Sequence, residues 1–460
     1  MKRIILFLCV LLSCLILQSP AMAVITPITD KNQMQPEHLI ENRHFAAMSS
    51  IEVTGSRLWA AWTSGGDCEP HDDNYIVVAF SDDDGESWND PYMILDPGSL
   101  SRSCVPILWI DPAERLWLFY SAGSYGTYVM YTDNPSDTPD AILWSEPQKI
   151  TPYHVTNKPI VIDKDGTTSY LLCVQNMVSN SITQLLQYTP ENNKWSLVRR
   201  SFAKSTNEHN VFMEASMVHK LECSLWMLTL IDGGHDGGVE QAFSYDLGAS
   251  WTALSSDTSY PLKGPGSRAL IQRLQSGNLA WVGHDSTTSR TKLTIWLSED
   301  DGATWPHKLL LDGRSSVSYP HLAQKEDGTI YVIYDKGRSR EQEIRFARFT
   351  EADIIAGAFV TESAQDKIVI SKTGGYEDIL IVNELSNQEY ILESENALND
   401  FVATLPTELH IVTDSSDQYT LAGQWETATS KEHEVTLKFS TKLPTKVQDT
   451  YDYLTILVKW

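Results

Sequence analysis

The sequence has 460 residues, 35 of them basic and 60 acidic, for a formal net charge of −25. With 42% hydrophobic and 21% charged residues it reads as a folded chain with a sizeable core, which excludes a disordered protein. The acidic balance also excludes a general nucleic-acid binder and a polybasic membrane-surface protein, yet a small anionic ligand needs only a local arginine cluster.

The first 23 residues read as a signal peptide. Lys2 and Arg3 precede an apolar run over residues 4–17, and Ala21-Met22-Ala23 supplies small residues for cleavage. The run is short for a membrane span, and no later segment is long and apolar enough for one. The expectation is export to a secreted, periplasmic or cell-surface location. Four cysteines follow the leader: Cys68, Cys104, Cys173 and Cys223. Their spacing does not suit a zinc site, and no cofactor or metal motif is present.

Residues 24–375 carry two superimposed repeats. The pattern Ser-x-Asp-x-Gly-x-Ser/Thr-Trp occurs at 81–88, 244–251 and 298–305. Asp and Gly suit a tight turn, and the Trp can pack beneath it. Apolar strands open after a polar turn at Arg57, Arg115, Thr168, Ser224, Asn278 and Thr329, at intervals of 51 to 58 residues. Each unit has room for two hairpins, so the fold class predicted is all-β: a six-bladed β-propeller. From residue 376 to 460 the pattern changes to alternating strands such as Leu409-His410-Ile411-Val412 and Val435-Thr436-Leu437-Lys438-Phe439, which predicts a small β-sandwich.

In such a fold one face gathers the starts of the innermost strands and the loops between second and third strands, and polar groups converging there mark a ligand site. Reading that face in chain order gives Arg43 and the loop Asp67-Cys68-Glu69-Pro70-His71-Asp72-Asp73. Arg102, Tyr125, Asn157 and Lys158 follow. Glu208, His209, Glu214 and the loop holding His235 come next, then Arg268, His284, Asp285 and Arg290. Tyr319, His321, Asp335 and Arg338 close the series. Lys158 and Arg338 read as peripheral salt-bridge partners. Cys68 and Cys104 fall in adjacent connections of this face, and a disulfide between them is expected to brace the rim.

The three eight-residue turns resemble the Asp-boxes of the sialidase (neuraminidase) superfamily, whose members are propellers. The resemblance covers residues 40 to 360. It implies an exo-glycosidase that hydrolyses a terminal acidic sugar, sialic acid or similar, from a glycan. In that family three arginines clamp a carboxylate, bidentate geometry being the reason for arginine. Arg43 stands where the first is expected, without the family's Arg-Ile-Pro signature, since His44 and Phe45 follow it. Arg290 resembles the third. Leu230 occupies the second position, and Arg268 faces the site as a replacement. Tyr319 resembles the nucleophile and Glu214 the carboxylate that takes its proton, giving a retaining mechanism. A neutral tyrosine does not repel a carboxylate-bearing sugar as an anionic nucleophile would.

The acid/base falls among Asp67, Asp72 and Asp73, with Glu69 a further candidate. Asp67 and Asp73 are taken as catalytic, and Glu69, His71 and His235 as substrate-binding. The tail resembles Ig-like modules appended to bacterial surface enzymes. Two other readings stand beside this one. The missing arginine together with His71, His235 and His284 allows a glycosidase or lyase acting on another uronate-containing polysaccharide. The incomplete clamp also allows a non-catalytic glycan-binding propeller.

Overall fold

The computed structural model describes residues 25–460 except 98–101, 124–125, 165, 176–181, 199–202, 205–213, 231–238, 257–259, 371–376, 383–388, 414–417, 432, 444–446 and 449–453. The candidate leader therefore lies outside the described residues.

The chain is almost wholly β, built from many small sheets. Six antiparallel sheets follow one another, each made from strands consecutive in the chain. The first holds Ala46–Thr54, Arg57–Ser64, Tyr75–Ser81 and Asn89–Leu95, and the second Ser103–Ile110, Leu116–Ala122, Thr127–Thr132 and Gln148–Thr151. The third holds Ile160–Lys164, Thr167–Gln175, Ile182–Thr189 and Lys194–Leu197, with two short extra strands paired to its middle. The fourth holds Ser216–His219, Leu225–Leu230, Val239–Ser244 and Ser255–Ser256. The fifth holds Leu270–Arg273, Leu279–His284, Thr291–Ser298 and His307–Ser315, and the sixth Val317–Gln324, Ile330–Lys336, Glu343–Phe349 and Gln365–Ile370. The second strand of each sheet begins within one residue of the position the repeat marks.

Burial explains why these strands are near-continuous apolar runs. Every residue of Arg57–Ser64 and Tyr75–Ser81 is buried, because neighbouring sheets cover both faces. Apolar clusters join each sheet to the next. Trp59 and Phe80 meet Leu118 and Tyr120; Trp109 and Trp117 meet Tyr170 and Tyr188; Leu171 and Leu185 meet Met217 and Met227. Trp226 and Leu228 meet Trp281 and Trp296; Val282 and Ile295 meet Val332 and Tyr334. The last cluster sets Trp62 and Val77 of the first sheet against Tyr331 and Phe346 of the sixth, which closes the series. A large apolar side chain buried this way contributes about 1.5–3 kcal/mol.

The three repeat turns share one hydrogen-bond pattern. Asp83 accepts the Ser87 amide at 2.9 Å and the Ser87 hydroxyl at 2.6 Å, while the Gly85 amide donates to Ser81 Oγ at 2.8 Å. Asp246 does the same with Ser250, and Asp300 with Thr304. Gly85, Gly248 and Gly302 are left-handed at φ 86°, 87° and 88°. A Cβ there would collide with Phe346, Leu185 or Trp226, each on the preceding sheet of the closed series. The turns are thus structural: they seat one sheet against another.

Beyond residue 376 the strands join in one seven-stranded path that includes the long strand Gln418–Lys431. The short helix Leu398–Thr404 packs Leu398, Phe401 and Val402 on the core of Val435, Leu437, Ile456 and Val458. Among the described residues no helix is long and apolar enough to cross a membrane.

Candidate active site

The first strands of the first, second and sixth sheets share an irregularity. Pairing shifts between Ala47 and Ser50, Cys104 and Ile107, and Ser318 and His321. In each gap a non-glycine residue is left-handed: Met48 at φ 56°, Val105 at 55° and Tyr319 at 55°. Such a residue costs about 1–2 kcal/mol, so it persists only where its surroundings hold it. Asp335, fully buried, holds two of the three sites. Its Oδ2 accepts the Met48 amide at 2.8 Å, and its Oδ1 accepts the Ser318 hydroxyl at 2.6 Å and Arg338 Nε at 3.2 Å. The Val105 amide donates to the Thr63 hydroxyl at 3.0 Å.

Tyr319 is the centre of the resulting cluster. The guanidinium carbons of Arg338, Arg268 and Arg290 lie 4.3, 4.7 and 5.4 Å from its ring centroid. Phe45, Ala47, Met48 and Cys104 pack against it on the apolar side. Burial pushes the phenol pKa well above its ordinary value and the Glu214 charge adds to this, while Arg338 and Arg290 oppose it. Glu214 lies two residues before the fourth sheet and shares a side-chain hydrogen bond with Tyr319. Burial raises its pKa against the pull of Arg268, that hydrogen bond, Arg290 and Arg338.

Arg268 lies just before the fifth sheet. It is 0% exposed, and Nε, Nη1 and Nη2 all lack a hydrogen-bond partner among the described residues. Glu214, Tyr319 and Asp335 face its charge. A buried guanidinium with spare donors is suited to receive an anionic ligand atom. Arg290 spends one donor on the Gly266 carbonyl at 3.0 Å.

The structure does not bring all the expected residues to this cluster. Arg43 has other partners. It is 2% exposed, donates twice to the His38 carbonyl at 3.0 and 2.7 Å and once to Asp90 at 2.9 Å, and stacks on Trp62. Its fork is engaged in bracing the first sheet.

The loop at 67–73 also divides unexpectedly. The Asp67 carbonyl accepts Ser339 Oγ at 2.8 Å, while the Asp67 and Asp73 side chains are exposed and line a separate pocket with Asp72 and Asp96. His71 turns to its own loop, its Nδ1 accepting the Asp73 amide at 3.2 Å. Glu69 instead reaches the cluster, its carboxylate 3.5 Å from Arg338 with the side chain 28% exposed. Burial raises its pKa, Arg338 opposes this, and Glu214 and Asp335 reinforce it.

His235, Glu208, His209 and Tyr125 lie outside the described residues. His284 is buried with Nε2 on the Val317 carbonyl at 2.8 Å, and burial lowers its pKa to about 4. Lys158 is not peripheral. Its ammonium is buried between Glu52 at 2.8 Å and the carbonyls of Ile51 and Leu322.

The expected Cys68–Cys104 disulfide is not formed. Cys68 is exposed on the rim loop, whereas Cys104 is buried under Tyr319, where burial pushes its thiol up to about 12. Sequence reasoning placed Arg338 at the edge, whereas it lies over Tyr319. The signal for it was the Asp335-x-x-Arg338 spacing that pairs the two across one turn.

Residues 56–332 match the BNR repeat-like domain family. The chain belongs to this family. A sialidase of Bacteroides fragilis is 23% identical over 287 residues, which is 61% of this chain and 42% of that protein. A sialidase of Micromonospora viridifaciens is 31% identical over 152 residues, 31% of this chain and 22% of that protein. The chain thus spans less than half the length of these relatives. Among solved structures, the Hadza microbial sialidase Hz136 superposes with a TM-score of 0.54 at 19% identity, over 68% of this chain and 66% of that one. The intramolecular trans-sialidase of Ruminococcus gnavus gives 0.52 at 14% identity, over 73% of this chain and 99% of that one. These likenesses show that the BNR repeat-like chain has the propeller-like fold of the sialidase superfamily.

Proposed function

We propose that this BNR repeat-like protein is a glycoside hydrolase that releases a terminal acidic sugar from glycans through a tyrosine nucleophile. The observation that carries the reading is the convergence of Tyr319 with Glu214 and with Arg268, Arg290 and Arg338 in one buried cluster. The sialidase relatives point to the same substrate class. The sugar carboxylate docks on Arg268 and Arg290. Glu214 takes the phenol proton, and Tyr319 Oη attacks the anomeric carbon as the glycosidic bond breaks. The raised pKa of Glu214 matches this task, since a more basic carboxylate accepts the proton of a weakly acidic phenol more readily. Glu69, raised by burial, donates a proton to the leaving oxygen. Water then displaces Tyr319 from the glycosyl-enzyme with Glu69 as base, so two displacements give retention.

The wider proposal is that the six sheets are the blades of a propeller within residues 24–375. Residues 376–460 form an Ig-like module, and residues 1–23 direct export. Incubation with a fluorogenic sialoside and a panel of acidic glycans tests the activity. Turnover that disappears in Tyr319→Phe supports it; no release from any of them by the wild-type protein sinks it.

A further inference from the structure

A second cavity opens beside Tyr319 between the fifth and sixth sheets. Its volume is about 440 Å³, and it is lined by Arg290, Arg338 and Arg340, by Gly337 and by five serines, with no carboxylate among its described lining residues. In a chain of net charge −25 this is a local inversion of sign. Two of the three arginines also face the Tyr319 ring, so the cavity is continuous with the candidate site.

The three arginines differ in what they have left to offer. Arg338 is committed to Asp335, Ser318 and Glu69. Arg290 gives one donor to Gly266. The guanidinium of Arg340, on the exposed turn after Gly337, has no hydrogen-bond or ion-pair partner among the described residues; only its backbone amide is engaged, on the Gly337 carbonyl at 2.8 Å. Neighbouring hydroxyls are short donors that suit the oxygens of an oxyanion, and guanidinium forks suit them bidentately. Arg290 is shared with the first carboxylate position, whereas Arg268 is not among the lining residues of this cavity and Arg340 belongs to the cavity.

We infer that this cavity binds a second oxyanion carried by the ligand, a sulfate ester or a second carboxylate, on the Arg340 side of the carboxylate held between Arg268 and Arg290. The inference rests on the acidic-glycan reading for its substrate and deepens it: the preferred glycan carries two negative groups.

Inorganic sulfate provides a test that does not depend on turnover. Sulfate is titrated into wild-type protein and Arg340→Ala, with sodium chloride matched for ionic strength, and thermal unfolding is followed. Sulfate raising the wild-type midpoint more than chloride does, with a smaller rise in Arg340→Ala, supports the site. Equal responses to the two salts, or equal responses in the two proteins, overturn it. In a second arm, kcat/KM is compared for acidic glycans alike except for an added sulfate ester or an added carboxylate. Preference for either doubly charged form should fall about fivefold in Arg340→Ala, and the larger preference identifies the oxyanion. No preference in the wild-type protein overturns the inference even where sialosides are cleaved. Sulfate binding without turnover of any glycan instead overturns the proposed hydrolase and leaves the anion site standing.

Discussion

Two pockets of the molecule have opposite characters. The one on the first sheet is lined by Glu37, Asp67, Asp72, Asp73 and Asp96, with His44 and His71 beside them. The one between the fifth and sixth sheets is lined by Arg290, Arg338 and Arg340 and by serines. Net charge averages over both. The first pocket carries part of that acidity on an exposed loop, where water screens it, and the second gathers cations where a ligand would lose its own hydration. Tyr319, Glu214 and Glu69, which share Arg338 with the second pocket, combine raised pKa values with common partners.

That contrast can be broken by substitution. The largest effect is expected at its centre: Tyr319→Phe should lower kcat about a thousandfold with an unchanged circular dichroism spectrum. A variant that keeps more than a tenth of the wild-type rate would remove tyrosine from the chemistry. On the acidic side the loop should split. Glu69→Gln should cost about a hundredfold in kcat, and Asp73→Asn less than about twofold; the reverse order would move the proton donor to the acidic pocket.

On the cationic side, Arg268→Met should weaken binding of an acidic sugar about thirtyfold while leaving stability to urea equal or higher, because the desolvation cost of a buried guanidinium that makes no hydrogen bond among the described residues offsets its attraction to Glu214 and Asp335. Lower stability would make Arg268 a structural residue. Arg43→Ala should do the opposite. It should lose about 3 kcal/mol of stability, since Asp90 and the His38 carbonyl lose their partner, with KM unchanged in the folded fraction. A raised KM would return Arg43 to the site.

The smallest effect is on pH stability. His154 and His284 are held near 4 by burial. Depressed in the folded state, they contribute stability that is present above their ordinary value and lost as pH falls from about 6.5 toward 4. Asp83, held at about 2 mainly by the Ser87 hydroxyl and amide, contributes stability that is lost only below about 4. Urea midpoints measured from pH 7 to pH 3 should fall in the first range before the second. A midpoint flat between 6.5 and 4 would mean that both histidines protonate freely in the folded chain.

Much of this architecture was legible in the sequence because it is local. The turn at 81–88 closes through bonds no more than four residues apart, so its spelling suffices. Glu214, Arg268 and Tyr319 each stand ten residues before Ser224, Asn278 and Thr329, which open the second strands of their sheets. A repeat that fixes the strands therefore fixes these three residues at one level. Arg43 was not legible, since its fate is decided by Asp90, 47 residues further on, and by the His38 carbonyl. Nor was the choice within the loop at 67–73. Asn74 ties down the carbonyls of Gly65 and Cys68, and Ser339, from the far end of the domain, ties down that of Asp67. That path leaves Glu69 facing Arg338.

Each of the six sheets is completed by its own strands, so among the described residues no strand crosses from the last sheet to lock the first. The junction is closed by side chains and backbone alone: Phe346 against Gly85, Arg338 carbonyl to the Ala46 amide at 2.9 Å, Gln342 to the His44 carbonyl at 2.8 Å, and Asp335 to Met48. In mechanical terms the circle has a seam without a rivet. Tyr319 lies on one lip of that seam, Glu69 on the other, and Arg338 bridges them. A ligand seated across the lips would work as a staple, so that occupancy of the site and resistance of the whole circle to opening rise together.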